Sequence, residues 1–251
     1  MNSSGGPTQL ETEVTRVIQR TKDVKSVRFR RPKGFDYLPG QWAFLTVDSD
    51  EEMKTKPLSF SSSPTEDYLE FTKRLTGHEF SNDFARMEVG DAATIRGPHG
   101  KLTLQENHKK ICMLSGGIGI TPLRSMIRYS TDKELKTSII LLYSNRFEDD
   151  IAFMDDFDEM QLRNPNFRAM ITITGPTGPS QTWKGLTGRI NREMIEEKVP
   201  DYAERVFYSC GPKLMVDAMV DTLSKIGLPE AQIKYEYFSG YLGAQGEGSR
   251  Q

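Results

Sequence analysis

The sequence predicts two different folds in succession, an N-terminal six-stranded antiparallel β-barrel and a C-terminal α/β domain with a parallel five-stranded sheet. The barrel is indicated by six short segments rich in Val, Ile, Phe and Thr, separated by turns, before about residue 104. From residue 110 onward, strands alternate with helix-length segments. We therefore expect domains at residues 8–106 and 107–241, with flexible tails at 1–7 and 242–251.

The composition is that of an ordinary globular protein. The chain has 251 residues, of which 36% are hydrophobic and 27% charged, and its formal net charge is −2. This balance argues against a general nucleic-acid binder. No apolar run approaches the roughly 20 residues of a membrane span, and no signal-like segment opens the sequence, so a cytoplasmic protein is expected. Cys112 and Cys210 are too few for an all-cysteine iron-sulfur cluster, and the three histidines lack zinc-ligand spacing, so no metal site is predicted.

The predicted barrel strands are bounded by turn residues. They lie at residues 14–19, 26–30, 42–47, 57–61, 68–74 and 92–96. A helix is predicted at 80–87, and a turn is predicted at Gly90-Asp91, before the last strand. Strands of this length and spacing favour a small antiparallel barrel or sandwich.

The second half reads as a parallel sheet covered by helices. Its predicted strands are 111–114, 138–143, 167–173, 205–209 and 233–237, and its predicted helices are 122–130, 151–162, 191–197 and 212–226. In such sheets ligands bind at the carboxyl ends of strands, where helices begin.

A glycine turn after the first of these strands is the strongest local signal. Gly116, Gly117 and Gly119 permit backbone angles and close approaches that a Cβ would forbid, and Pro122 suits a first helical turn. A helix N-terminus offers unpaired N–H groups to a dinucleotide pyrophosphate. The alternative is a plain structural connector, since the spacing is not the usual G-x-G-x-x-G.

Two segments of the barrel half could hold an anion. Lys56-Pro-Leu-Ser-Phe-Ser-Ser-Ser-Pro64 places a cation, an apolar side chain and a hydroxyl along one strand, which suits a flavin with its pyrophosphate. The alternative is an amphipathic strand without a ligand. Gly77-His-Glu-Phe-Ser-Asn82 precedes the predicted helix and is a second candidate cradle, unless Ser81 only caps that helix.

Other segments have competing interpretations. Tyr208-Ser-Cys-Gly-Pro212 repeats the strand, turn and helix pattern, and it places Cys210 at the carboxyl edge of the sheet, where a lone cysteine is usually a small buried hydrophobe. The basic residues Arg28, Arg30, Arg31 and Lys33 indicate a solvated strand end or a docking surface for an acidic partner.

Taken in order, these motifs resemble the ferredoxin-NADP reductase superfamily over residues 11–241. The family's Arg-x-Tyr-Ser motif is similar to Lys56-Pro-Leu-Ser59, and it is followed by Thr72-Lys-Arg-Leu75. Further family-like segments are Gly77 to Asn82, Gly97-Pro-His-Gly-Lys101, Gly117-Ile-Gly-Ile-Thr-Pro-Leu-Arg-Ser125, Tyr143-Ser-Asn-Arg146 and Tyr208 to Pro212.

The resemblance implies an FAD enzyme that takes a hydride from NADH or NADPH. It implies Ser59, Cys210 and Glu236 as catalytic residues. The implied cofactor-binding residues are Lys56, Pro57, Leu58, Ser59, Phe71, Thr72, Lys73, Gly77, Glu79, Phe80 and Ser81 in the first domain, and Gly116, Gly117, Gly119, Thr121, Pro122, Ser144, Asn145, Arg146, Cys210, Gly211, Pro212, Met215 and Phe238 in the second.

Departures from the family pattern bear on affinity and specificity. Lys56 stands in place of an arginine and Leu58 in place of a tyrosine, so a bidentate fork and a stacked phenol are lost. An aromatic residue near the C-terminus covers the flavin face in the family, and whether Phe238, Tyr241 or neither does so here stays open. Thr174-Gly175 occupies the place of the serine-arginine pair that binds a 2′-phosphate in NADP-dependent relatives, which predicts a modest preference for NADH. Arg146 is the one cation that could still reach a phosphate, and its alternative is a solvated loop arginine.

A chain of this kind implies a separate electron acceptor. The candidates are a ferredoxin, a flavodoxin, a haem protein or an oxygenase component, or free flavin or ferric iron. The alternatives are an electron-transfer subunit of a larger complex, or a flavin-binding structural module, which would not need the glycine turns of the second domain.

Overall fold

In the part of the chain that the structure describes, the first half forms one antiparallel sheet of six strands. The computed structural model describes residues 7–47, 54–175 and 183–238. The strands are β1 (Thr8–Thr21), β2 (Val24–Arg30), β3 (Trp42–Val47), β4 (Lys54–Ser59), β5 (Tyr68–Arg74) and β6 (Ala92–His99), with helix α1 (Glu79–Arg86) between the last two. Their order is β4-β3-β6-β1-β2-β5. The predicted six strands are confirmed.

The sheet curls until its two outermost strands meet. Phe60, just after β4, forms a bridge with Phe71 of β5, and the Ser61 N–H donates to the Glu70 carbonyl at 2.8 Å. Both phenylalanines are fully buried, and Phe71 packs edge-on against Phe29. The curled sheet thus encloses its own apolar core and leaves β4 at the edge that faces the second half of the chain.

Strand β1 is much longer than the predicted 14–19, and its pairing explains the difference. Thr8 to Glu13 pair with β6, whereas Val14 to Thr21 pair with β2. The first stretch is mostly exposed and polar, so it has no period-2 apolar signal, and hydrogen bonds to β6 fix it as a strand.

The second half forms a parallel sheet with helices on both faces. Its strands are β7 (Lys110–Gly116), β8 (Ser138–Asn145), β9 (Phe167–Ile173), β10 (Leu186–Thr187), β11 (Val206–Gly211) and β12 (Ile233–Tyr237). Its helices are α2 (Ile120–Asp132), α3 (Met154–Arg163), α4 (Arg192–Lys198) and α5 (Lys213–Lys225). Five of these strands were predicted. The count of five is corrected to six by β10, which has only two residues and pairs with β9.

The strand order β10-β9-β8-β7-β11-β12 reverses direction at β7. The chain runs outward from β7 through β8 and β9, and later returns to the other side of β7 with β11. This is the topological switch point, where open α/β sheets leave a crevice at the carboxyl ends of the strands. The glycine turn follows β7 directly, so the fold places it in that crevice.

Side chains of β7 alternate between two buried layers. Ile111 and Met113 belong to the layer under α2 and α3, whereas Cys112 and Leu114 belong to the layer under α4 and α5. Burial on both faces explains the continuous apolar run by which this strand was predicted.

Helix boundaries differ from the prediction by a few residues. Helix α3 begins at Met154 and not at 151, because Phe153 adopts a left-handed conformation with φ of 65°. Asn191 caps α4 by accepting from the Met194 N–H at 2.9 Å. No helix in the described ranges is both long and apolar enough to cross a membrane. The predicted domain boundary at residue 106 falls between β6 and β7 and stays a prediction.

Candidate functional site

A cleft of about 900 Å³ lies between the two sheets. Its barrel side is formed by β4, the end of β5 and the start of α1, and its other side by Ile118, Thr121 and residues 236–238. Twelve of the predicted site residues line it: Lys56, Pro57, Leu58, Ser59, Thr72, Lys73, Glu79, Phe80, Ser81, Thr121, Glu236 and Phe238. Residues far apart in sequence therefore come together as expected.

Strand β4 supplies the floor of the cleft on the barrel side. Ser59 pairs in register with Trp42 and is buried, whereas Lys56 is exposed. Leu58 is half-buried and packs against the barrel core. A cation, an apolar side chain and a hydroxyl thus follow one another along a single wall.

Among the described residues, four cations of β4 and β5 line the cleft, namely Lys54, Lys56, Lys73 and Arg74. The pKa of the Lys73 ammonium is lowered by burial and, secondly, by the neighbouring charge of Lys56. The Arg74 Nε is buried and has no hydrogen-bond partner among the described residues, although the Asp23 carboxylate lies at 3.4 Å. Positive charge that is desolvated and incompletely neutralised is the electrostatic signature of an anion site.

Helix α1 directs an uncapped N-terminus at the same place. Its N-cap residue is His78, whose side chain makes no capping hydrogen bond. Ser81 does not cap this helix, which was one interpretation of the sequence. Its hydroxyl accepts instead from the Thr76 N–H at 2.8 Å. The first-turn N–H groups of α1 thus have no side-chain cap within the described chain, and an anion could accept from them. Gly77 precedes this helix with φ of 76°, which favours glycine.

The glycine turn contributes Ile118 to the opposite wall of the cleft. Residues Gly117–Gly119 form a 3₁₀ turn before α2, and Gly117 has φ of 51°. A Cβ on Gly119 would lie 2.2 Å from the Cys210 carbonyl oxygen, so only glycine allows β11 to approach. The Tyr143 hydroxyl donates to the Gly117 carbonyl at 2.9 Å. These contacts hold the turn rigidly against the sheet.

Arg74 spans the gap between the two walls. A Cβ placed on Gly117 would lie 3.7 Å from the Arg74 Nη2. The end of β5 therefore brings a guanidinium to the glycine turn of the other half.

Cys210 and Glu236 lie side by side on neighbouring strands. The register pairs Cys210 with Glu236, but only Glu236 lines the cleft, and Cys210 is fully buried behind Gly119. Burial raises the pKa of the Cys210 thiol, and the Glu236 charge raises it further. Burial also raises the pKa of the Glu236 carboxyl.

The end of the described chain covers part of the cleft. The Phe238 N–H donates to the Gly211 carbonyl at 2.9 Å, and the Phe238 ring packs against the large core of the second half. Tyr237 also lines the cleft. Tyr241 lies outside the described residues, so the choice between Phe238 and Tyr241 stays open.

Several predicted site residues lie away from the cleft wall. Phe71 is fully buried in the barrel core, where it packs and does not face a ligand. Gly116 and Gly211 are both covered by Met215, whose sulfur would lie 2.6 Å from a Cβ on Gly116. Gly77, Gly117, Gly119, Pro122, Ser144, Asn145, Arg146 and Pro212 also do not line the cleft itself.

Arg146 lies beside Thr174-Gly175, as the sequence suggested. The Thr174 N–H donates to the Asn145 carbonyl at 2.9 Å, and the Gly175 N–H donates to the Arg146 carbonyl at 2.7 Å. The Arg146 guanidinium is exposed and lies 5.2 Å from the centre of the Phe147 ring. Residues 176–180 of the following loop lie outside the described part.

The basic cluster near β2 is engaged mainly within the barrel. Arg28 pairs with Glu70 at 2.9 Å, and Arg31 donates to the carbonyls of Phe35, Pro64 and Glu66. The predicted solvated strand end is therefore wrong for Arg28 and Arg31, whose side chains are only 17% and 16% exposed, whereas Arg30 is 68% exposed and fits it.

Models of known families match both halves of the chain. An oxidoreductase FAD-binding domain matches residues 11–104, and an oxidoreductase NAD-binding domain matches residues 113–221. A ferredoxin NADP+ reductase from Neisseria gonorrhoeae, solved with bound FAD and NADP, superposes with a TM-score of 0.78 over 91% of this chain and 98% of its own, at 23% identity. The chain belongs to the ferredoxin-NADP reductase superfamily.

Two relatives within this superfamily are subunits of oxygenase systems. The glycine betaine monooxygenase reductase subunit of Chromohalobacter salexigens is 32% identical over 89% of this chain and 62% of its own length. The propane 2-monooxygenase reductase component of Rhodococcus jostii is 29% identical over 94% of this chain and 65% of its own length. The chain thus spans slightly less than two thirds of these superfamily members.

The cleft fits the cofactors of the superfamily. A site of several hundred Å³ with apolar walls and a few converging polar groups is typical of a cofactor site. The partly unpaired Arg74, the uncapped α1 and the glycine turn all suit phosphate groups. Within the described residues no group of three or more His, Cys, Asp and Glu side chains could hold a metal ion.

Sequence reasoning missed several residues of this superfamily site. They are Trp42, Lys54, Thr55, Arg74, Thr76, His78, Ile118 and Tyr237. Arg74 lies in the quoted Thr72 to Leu75 segment, which contains two cations, but only Lys73 was predicted to bind a cofactor. His78 and Ile118 likewise lie within the quoted segments Gly77 to Asn82 and Gly117 to Ser125. Tyr237 lies between the predicted Glu236 and Phe238, whereas none of the quoted motifs contains Trp42, Lys54, Thr55 or Thr76.

Proposed function

We propose that this protein is an NAD(P)H-dependent flavoprotein reductase that moves a hydride from a reduced nicotinamide to FAD and passes the electrons to a separate acceptor. One observation carries the proposal above the others. Partly neutralised cations and an uncapped helix on the barrel side face a rigid glycine turn at the switch point of the parallel sheet, across a single cleft. When bound, the two cofactors supply the redox chemistry, and the chain positions them.

Residues of the barrel would hold the flavin. Lys56 and Lys73 bring two ammonium groups to the pyrophosphate, and the N–H groups at the start of α1 supply directional donors. Leu58 offers an apolar contact to the ring system, and the buried Ser59 hydroxyl lies at the end of the same strand. The charge of two lysines replaces the bidentate arginine of the family motif.

Residues of the second half would receive the nicotinamide dinucleotide. Gly117 would allow its phosphates to approach the backbone, because only Arg74 lies near the place of a Cβ there, and Gly119 lets the turn lie against β11. Thr121 lines the cleft immediately beyond. Arg74 would contribute a cation from the barrel side, because its guanidinium reaches the glycine turn.

Glu236 and Cys210 would set the polarity beside the reacting atoms. A carboxyl whose pKa is raised by burial can hold a proton at a pH where an ordinary glutamate cannot. The Cys210 thiol stays protonated for the same reason and lies behind Gly119. Glu236 is therefore the better candidate for contact with bound cofactors.

FAD binding tests the first half of this proposal. Lys56→Ala removes a cation from a phosphate, and a charge-assisted hydrogen bond is worth about 1.5–3 kcal/mol, so FAD affinity should fall roughly tenfold or more. Lys22→Ala, an exposed lysine at the turn after β1, is the matched control. Titration of the apoprotein with FAD, followed by flavin fluorescence, measures both. Equal affinity in the Lys56 and Lys22 variants would remove Lys56 from the site.

The acceptor is proposed to be a separate protein, such as a ferredoxin, a flavodoxin or an oxygenase component. Support comes from the relatives, which are named as reductase subunits of oxygenase systems. We also propose a cytoplasmic location, since NADH and NADPH are supplied there.

NADH is the proposed preferred donor, by about tenfold in kcat/KM, which corresponds to about 1.4 kcal/mol. Support comes from Thr174-Gly175, which offers no cationic side chain where a 2′-phosphate would need one. Steady-state kinetics with both nucleotides decide this point. A strong NADPH preference that Arg146→Ala abolishes would place a phosphate site at Arg146.

A further inference from the structure

Six charged side chains form a buried network behind the cleft, where the barrel meets the second half. Three are guanidinium groups and three are carboxylates, so the network is electrically balanced: Arg20, Arg28, Arg124, Glu66, Glu70 and Asp156. Arg124 is 1% exposed and Glu70 is fully buried. Neither the proposed chemistry nor the predicted site uses this network.

Arg124 is the centre of the network. It belongs to α2, yet its Nη1 donates to the Ser61 carbonyl at 3.1 Å and its Nη2 to the Glu66 carboxylate at 3.1 Å, both on the barrel side. Its Nη2 also donates to Asp156 of α3 at 2.6 Å. One side chain thus joins both halves of the molecule.

Two neighbouring side chains, Ser125 and Arg20, also connect the barrel to the second half. The Ser125 hydroxyl donates to the Ser62 carbonyl at 2.6 Å. From the barrel side, Arg20 reaches Asp156 at 3.0 Å and Glu70 at 3.1 Å. The two halves are therefore joined in both directions, by side chains from each.

Phe153 lies between the two arginines. Its ring centre is 4.6 Å from the Arg20 guanidinium carbon and 5.8 Å from that of Arg124. Its φ of 65° is uncommon for a residue other than glycine, and such a conformation persists only when the surroundings determine it strongly. The stacking of two guanidinium groups on the Phe153 ring stabilises this conformation.

The network is joined to both walls of the cleft through residues that are close in sequence to the wall residues. Arg124 follows Thr121 by one helical turn, and its acceptor Ser61 follows Ser59 by two residues. The contact between Arg124 and Ser61 therefore fixes the nicotinamide wall relative to the flavin wall. A buried ion pair is weak evidence for stability, but the fixed fork of a guanidinium specifies orientation, which an apolar interface does not.

We propose that Arg124 is a positioning residue for hydride transfer, which acts by holding the start of α2 at a fixed distance from the end of β4. This rests on the proposed function, because it assigns the two walls to the two cofactors. Arg124 touches neither cofactor in this arrangement. Its effect is on the geometry in which they meet.

The test compares variants of the network with a control on the same helix. Arg124→Gln removes the contacts of Arg124 with Ser61 and Glu66, and Asp156→Asn removes the charge that pairs with Arg20 and Arg124. Arg128→Gln removes an arginine one turn further along α2 that pairs only with Asp132 and Glu159 in the described second half. Each protein is loaded with FAD, and the limiting rate of anaerobic flavin reduction is measured with saturating NADH. Asp156→Asn keeps shape and removes one charge, so it gives a result even where Arg124→Gln folds poorly.

The limiting rate should fall roughly tenfold to a hundredfold in Arg124→Gln, since a misplacement of about 1 Å can cost that much. The Kd for NADH should change little, because the glycine turn is intact. Reduction by N-benzyldihydronicotinamide, which has no dinucleotide to be placed by α2, should stay near the wild-type rate.

Wild-type reduction rates in both network variants would overturn the positioning role while leaving the proposed function intact. An equal loss with N-benzyldihydronicotinamide would also overturn it, since the flavin site itself would then be damaged. Failure of the wild-type protein to be reduced by either nucleotide would overturn the proposed function and the positioning role together.

Discussion

Cations around the cleft differ in how far carboxylates already neutralise them. The Lys54 ammonium lies 3.2 Å from Asp83, so its charge is largely used within the barrel. Lys73 is influenced instead by burial and by the like charge of Lys56. A bound phosphate gains most from a cation without a carboxylate partner, because that cation exchanges only water for the new contact. Lys56 and Lys73 are therefore the lysines expected to hold the flavin phosphates.

Arg74 is expected to act on the nucleotide and not on the flavin. Arg74→Gln should raise the Kd for NADH roughly tenfold, because a charge-assisted hydrogen bond to phosphate is worth about 1.5–3 kcal/mol. Stopped-flow reduction over a range of NADH concentrations measures this Kd. Arg30→Gln, an exposed strand-end variant, is the control. A loss of FAD with unchanged NADH affinity would reverse the assignment of Arg74.

At the residue scale, the sequence predicted which walls meet but not which side chains end up on them. Ser59, Thr121 and Glu236 were predicted from motifs and do share one cleft. Cys210 and Phe71 came from the same motifs and are fully buried. A motif places a residue on a strand, whereas its final exposure depends on neighbours that are remote in sequence, such as Gly119 beside Cys210.

The turn between β7 and α2 depends on glycine for space and not only for backbone angle. Gly119→Ala would place a Cβ 2.2 Å from the Cys210 carbonyl oxygen, and overpacking of this kind costs about 1–3 kcal/mol. The variant should unfold at a lower temperature and bind NADH more weakly. Gly90→Ala is the contrast, because Gly90 has φ of 99° but open space around it, so only stability should fall. Unchanged NADH binding in Gly119→Ala would show that the turn tolerates displacement.

At the scale of helices and strands, a regular apolar pattern in the sequence was enough to predict an element. Strands that are defined only by their hydrogen-bond pairing could not be predicted. Strands β7, β8 and β11 were predicted because burial on both faces leaves a continuous apolar run. The first half of β1 and the two-residue β10 were missed. Each is defined by pairing with β6 or β9 and has no apolar pattern of its own.

The whole molecule should be sensitive to acid through the network at the junction of its halves. Burial alone would raise the pKa of the Glu66 carboxyl, but the Arg124 guanidinium and its hydrogen bonds hold that pKa below its ordinary value. A lowered folded-state pKa contributes stability above the unfolded value, about 4.3 for glutamate, and this stability is lost as pH falls through the folded value.

Glu66→Gln should therefore destabilise the protein most at neutral pH, by about 3 kcal/mol, since removing one partner of a buried pair costs about 3–5 kcal/mol. The difference in Tm between wild type and variant should shrink as pH falls below about 4. Glu13→Gln, which removes an exposed pair with Arg30, is the control and should change Tm little. A Tm difference that is independent of pH would contradict the assignment.

The relative placement of the two halves was beyond sequence reasoning. Arg124 was quoted only as part of the glycine-turn motif, and nothing local indicates that it reaches Ser61 and Glu66 in the barrel. Such contacts join residues about sixty positions apart. They depend on how the curled sheet and the parallel sheet pack together, and this packing cannot be predicted from the hydrophobic pattern of the sequence.

Anaerobic reduction of the FAD-loaded protein tests the central claim most directly. Absorbance of the oxidised flavin is followed while NADH, and in a separate sample NADPH, is added without oxygen. A reductase with this cleft should lose the flavin absorbance with one equivalent of NADH, and more slowly with NADPH. Retention of the oxidised spectrum with excess of both nucleotides would contradict the account, because the cleft would then hold a flavin that no nicotinamide reaches.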